Sequence, residues 1–133
     1  MTTDSANGIV KFASPWPFRE TVERIEAALL AKKIKLFARI DQSAEAAAVG
    51  LTLRPTTLLI FGDPGKGTPL MDAHPTLAID LPLKALVWEA GPSEVFVGLT
   101  SPEFLQKRHG LPSAPFTEVI RLFNALINPG PQP

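Results

Sequence analysis

With 133 residues, 45% of them hydrophobic and 20% charged, the chain is long enough to bury one core without metals or disulfides. The absence of Cys excludes disulfides, thiolate catalysis and cysteine-based zinc sites. Thirteen Lys and Arg balance thirteen Asp and Glu, which argues against a nucleic-acid binder.

No apolar run approaches the ~20 residues of a membrane span, and Met1-Thr2-Thr3-Asp4-Ser5 lacks the basic and apolar regions of a signal peptide. A soluble cytoplasmic domain without nucleic-acid or membrane partners is expected. Residues 1–8 are small and polar and are expected to fray. A strand is expected over about Gly8–Ala13. Pro15 and Pro17 then precede a helix running to about Lys33, in which Val22, Ile25 and Leu29 recur at helical spacing. Lys32 and Lys33 fall where the helix dipole favours cations. Ile34–Asp41 alternates as a half-buried strand does, with Lys35, Phe37, Arg39 and Asp41 on one face.

Ser43–Val49 is Ala-rich and ends at Gly50, which suits a short helix with a left-handed cap. Thr56–Phe61 reads as an apolar strand entering a Gly62–Gly67 loop. Thr68-Pro69 reads as a cap and first position for a short helix, Leu70–Ala73, which stops near His74-Pro75. Leu83–Ala90 and Glu94–Thr100 alternate on either side of Gly91-Pro92-Ser93 and predict a hairpin. Ser101-Pro102-Glu103 opens a helix ending at Gly110. The last helix, about Pro115–Ile127, carries Phe116, Ile120, Phe123 and Ile127 on one stripe. Residues 128–133 contain Pro129, Pro131 and Pro133 and form a tail that is neither helix nor strand. One α+β domain over residues 9–127 follows, a largely antiparallel sheet backed by the two longest helices.

Glu20-Thr21-Val22-Glu23-Arg24-Ile25, Phe37-Ala38-Arg39-Ile40-Asp41, Arg54-Pro55-Thr56, Leu58–Pro64, Gly67–Met71 and Asp80–Lys84 together resemble the domain of unknown function 302 family. The resemblance covers roughly Val10 to Leu111. It implies a fold similar to the TATA-box-binding-protein-like arrangement: strand, helix, four further strands, helix, with the long helix across a curved antiparallel sheet. It also implies a homodimer and supplies no settled activity. A shared fold carries no DNA-binding function with it. Gln42 stands where many relatives have His, so any metal or acid–base role at that position is lost here. Asp63 replaces the more usual Asn, and Lys33 stands where Gly is common.

Candidate chemistry is sparse. Gly62-Asp63-Pro64-Gly65-Lys66-Gly67-Thr68 follows a strand and precedes a helix, but Lys66 comes before the second Gly, so the phosphate-loop motif fails. A tight loop is the simpler reading, with weak anion binding near Lys66 as the alternative. Arg39 and Asp41 share a strand face, with Gln42 following; they either line a polar pocket or serve as a salt bridge and helix cap. His74 and His109 sit at expected helix ends, where a cation-favouring cap is the default. Trp88 is expected to pack against a helix or a partner subunit. The sequence points to a non-catalytic dimeric module holding a small molecule in a groove between sheet and helices. Its ligand-binding residues are Arg39, Asp41, Gln42, Lys66 and Thr68, with no catalytic residue, metal or cofactor. The alternative is an enzyme of unidentified class using Arg39, Asp41 and Lys66.

Overall fold

A computed structural model describes residues 2–4 and 7–129. Six strands form one antiparallel sheet: β1 (Thr2–Asp4), β2 (Ile9–Ser14), β3 (Lys35–Asp41), β4 (Thr56–Gly62), β5 (Leu83–Gly91) and β6 (Glu94–Thr100). Their spatial order is β1-β2-β6-β5-β4-β3. Among the described residues five helices accompany them: α1 (Phe18–Ala31), α2 (Gln42–Ala48), α3 (Pro64–Ala73), α4 (Pro102–His109) and α5 (Thr117–Ile127). A 3-10 turn, Pro75–Ile79, joins α3 to β5. The α+β class and antiparallel sheet expected from the sequence are present.

Strand alternation sorts the sheet into two unlike faces. Val10 and Phe12 of β2, Leu59 and Phe61 of β4, Val87 of β5 and Val97 of β6 are buried together with α1 and α5. The helices contribute Val22, Ile25 and Leu29 from α1, and Val119, Phe123 and Ile127 from α5. Neighbouring positions on the strands belong to the opposite face. There Trp88 lies opposite Phe96 in the register, and the rings are tilted with centroids 5.5 Å apart. Of the expected partners of Trp88, a helix or a second subunit, α1 and α5 are not in reach: alternation beside the buried Val87 turns it to the other face.

Other boundaries differ for local reasons. Thr2–Asp4 pairs with Ile9–Lys11 and extends the sheet, where only a loose terminus is expected from composition. The Pro-rich tail falls outside the described residues from position 130 onward. The helix α3 begins at Pro64 rather than Leu70, because Asp63 is its N-cap and its carboxylate accepts the Gly65 N–H at 2.9 Å. Pro64 takes the first helical position, where its missing N–H costs nothing. Gly65 and Gly67 thus lie inside the helix, Gly62 ends β4, and Thr68 is not a cap. Around α4 the sequence signals hold: Ser101 accepts the Phe104 N–H, and Gly110 ends the helix at φ +65°.

The first helix stops at Ala31, and Lys33 adopts φ +58° before β3 begins. A Cβ in that conformation costs about 1 kcal/mol. The cationic side chain near the helix end returns about 0.3–1 kcal/mol at most. Lys33→Gly should therefore be neutral or more stable by up to about 1 kcal/mol, and Lys33→Ala slightly less stable than wild type. Urea midpoints rank the three proteins; Gly as the least stable would contradict the left-handed geometry.

Candidate functional site

Three strands and three helices meet around a concavity of about 770 Å³. Its floor comes from Phe61 at the end of β4 and Leu83 at the start of β5. Ile34, just before β3, and Phe37 close one side; Met71 of α3 and Leu122 of α5 close others. Leu81 and Pro82, on the approach to β5, complete the apolar wall. Phe37 shares the helix-facing side of β3 with Arg39, as alternation places it. The β3–β4 register slips between Leu36 and Ala38, a bulge that leaves Phe37 without its own opposite residue. Phe37 stays 43% exposed, as a residue facing an open groove should.

Polar groups stand among these apolar walls. Lys32 comes from the C-terminal end of α1, Lys66 from the first turns of α3 and Arg121 from α5. Asp63 and Glu118 also line the groove. The Asp63 carboxylate is occupied with capping α3, and Glu118 Oε1 lies 3.7 Å from Lys66 Nζ in a solvent-exposed pair. Such an exposed pair contributes little to stability and opens readily.

The structure divides the site residues expected from the sequence. Lys66 and Thr68 both line the groove. Arg39, Asp41 and Gln42 are not among its lining residues. Arg39 instead makes a bidentate pair with Glu26 of α1, Nε to Oε1 at 2.8 Å and Nη2 to Oε2 at 2.6 Å. That hydrogen-bonded pairing raises the Arg39 pKa further above its already high value. Asp41 is the N-cap of α2: its Oδ1 accepts the Ala44 N–H at 2.9 Å and the Ser43 hydroxyl at 2.8 Å. Gln42 is the exposed first residue of α2. Arg39 and Asp41 thus serve two different structural contacts rather than one polar constellation with Lys66.

The capping bonds from Ala44 and Ser43 lower the Asp41 pKa from its ordinary value. A carboxylate lowered on folding stabilises the folded state above its unfolded pKa, and that contribution is lost as pH falls through the folded value. Asp41→Ala should therefore melt below wild type at neutral pH, and the two melting curves should converge in acid below about pH 4. A gap that stays constant from neutral to acid pH would show that the cap acts without its charge.

Among the groove residues that sequence reasoning missed are Lys32, Met71, Leu81, Glu118, Arg121 and Leu122. They are scattered along the chain and are gathered only by tertiary packing. No group of three or more His, Asp or Glu positioned to hold a metal occurs among the described residues. Nor is any described helix long and apolar enough to cross a membrane.

A second polar cluster lies on the 3-10 turn and α4. His109, expected as a helix-end cap, has only 3% of its side chain exposed. Its Nε2 is 2.5 Å from Asp80 Oδ2, and its Nδ1 is 3.0 Å from Thr76 Oγ1. Arg108 reaches the other Asp80 oxygen at 3.4 Å. The cationic end of α4 is thereby tied to the turn that leads into the groove wall at Leu81.

The family model for the domain of unknown function DUF302 matches residues 10–128, and the chain belongs to that family. A crystal structure of an uncharacterised conserved DUF302 protein from Bacillus stearothermophilus aligns with a TM-score of 0.77. It covers 90% of this chain and 95% of that one at 16% identity, which supports the shared fold. Relatives named fluoride-specific ion channel FluC 1, from Brucella suis and Brucella abortus, are 40% identical over 105 residues. That stretch is 79% of this chain but 41% and 39% of theirs, so the chain spans about two-fifths of these relatives.

Proposed function

We propose that the chain is a non-catalytic module that holds a small molecule in the groove between sheet and helices. The observation that supports this most is the groove itself: about 770 Å³ with mostly apolar walls and a few polar groups, in the size range of small-ligand sites. Lys66 and Thr68 belong to it. The enzyme alternative loses support because Arg39 and Asp41 are engaged with Glu26 and the start of α2. The neutral apolar dye N-phenylnaphthylamine tests the reading directly. Its fluorescence should rise and saturate at one site per chain, and Met71→Trp, which fills the groove, should abolish the rise. No saturable binding to the wild type would end this reading.

The same module is proposed to work as a cytoplasmic homodimer. The sheet face opposite the helices carries Trp88 and Phe96 and offers an apolar surface for a second copy. Sedimentation at micromolar concentration should show a dimer, and Trp88→Lys should shift it to monomer. A wild-type monomer would exclude this assembly.

A second reading rests on the Brucella relatives, in which the shared 105 residues belong to proteins named as fluoride-specific ion channels. On this reading the module accompanies such a channel. Loss of its gene should then lower cellular fluoride tolerance, and unchanged growth in fluoride would end the idea.

A further inference from the structure

Resting on the reading of the groove as a ligand site, we infer that its ligand is an amphipathic carboxylate, with the apolar chain against the walls and the carboxylate at a cationic rim. Three cations stand at the groove: Lys32 just after α1, Lys66 in α3 and Arg121 in α5. The two acidic residues of the lining do not neutralise them all. Asp63 is directed into its own helix as a cap, and Glu118 stands only in a long exposed contact with Lys66. Among the described residues, Lys32 and Arg121 have no ion-pair partner. The groove therefore joins a large apolar volume to positive charge at exposed positions on its border.

That combination discriminates between head groups rather than between tails. An apolar chain displaces water from Phe37, Phe61, Met71 and Leu122 whatever head it carries. A carboxylate adds attraction to Lys32 and Arg121, and bidentate geometry is available to the guanidinium. A neutral head adds nothing comparable, and a cationic head is repelled. Because the cations are exposed, the carboxylate's advantage should shrink as salt screens it.

Three molecules with one decyl tail decide the matter: decanoate, decanol and decyltrimethylammonium, each titrated against bound N-phenylnaphthylamine below its micelle-forming concentration. Decanoate should displace the dye at least tenfold more tightly than decanol, and the ammonium should be the weakest. In the double variant Lys32→Gln, Arg121→Gln, whose fold is checked by circular dichroism, decanoate should lose at least tenfold. Decanol should be unchanged there. Equal displacement by decanoate and decanol would overturn the carboxylate assignment while leaving the groove as a ligand site. Decanoate binding that is insensitive to the double variant would overturn the cationic rim. If the dye itself does not bind, the groove reading fails and this inference fails with it.

Discussion

Phe123→Ala should destabilise the protein by about 3–5 kcal/mol, the range for removing a large aromatic from a close-packed core. Phe123 of α5 is 1% exposed and stacks on Phe61 of β4 with ring centroids 5.8 Å apart and planes 28° from parallel. The substitution removes apolar burial and leaves a cavity between helix and sheet that neighbours fill only partly. The aromatic pair adds about 0.5–1.5 kcal/mol beyond its buried area. Urea unfolding should show the midpoint falling with the slope unchanged. Phe123→Leu keeps much of the volume and should lose markedly less. Since Phe61 also lines the groove, Phe123→Ala should weaken N-phenylnaphthylamine binding even under conditions where the variant stays folded. A loss below about 1 kcal/mol would mean that α5 does not depend on this contact for its seat on the sheet.

The scaffold was far more legible in the sequence than the groove, and the reason is physical. Period-two alternation in Leu83–Ala90 and Glu94–Thr100 is a local signal, and those strands form at β5 and β6. The helical spacing of Val22, Ile25 and Leu29 is equally local, and all three are buried. A cap followed by Pro is just as short-range, and Ser101-Pro102 opens α4 as expected. The Gly62–Gly67 segment misleads because composition and position disagree. Three glycines suggest a loop, but Asp63 supplies a cap and Pro64 a preset first residue, and together they start the helix early. Arg39 illustrates the harder failure. Its strand face was readable, but its partner Glu26 lies thirteen positions away on another element, beyond the reach of any periodicity. Likewise the groove draws on the end of α1, a bulge in β3, two later helices and the approach to β5, and no short motif contains that convergence.

The same limitation hid His109, whose removal should cost about 2 kcal/mol. Sequence position alone makes it a helix-end cation, but burial makes it a connector. The carboxylate of Asp80, when ionised, offers only acceptors, so the imidazole Nε2 carries the proton in the 2.5 Å contact. In the neutral ring Nδ1 then accepts the Thr76 hydroxyl at 3.0 Å. Both nitrogens are thus satisfied inside a nearly water-free position, and α4 is fixed to the turn preceding Leu81 and Pro82. His109→Ala deletes two hydrogen bonds and leaves a half-lined hole, with Arg108 as the remaining side-chain partner of Asp80. Because Asp80 keeps partial access to water, the penalty stays well below that of a sealed unpaired charge. His109→Gln can place an amide donor near Asp80 and should recover part of the loss. Thr76→Val should cost less than His109→Ala, and the two substitutions together should fall short of their sum, since both remove the same bond. Guanidinium or urea unfolding at neutral pH measures all four proteins. Strict additivity would show that the two side chains share no bond, and a His109→Ala loss within about 0.5 kcal/mol of zero would show that α4 does not depend on this cluster.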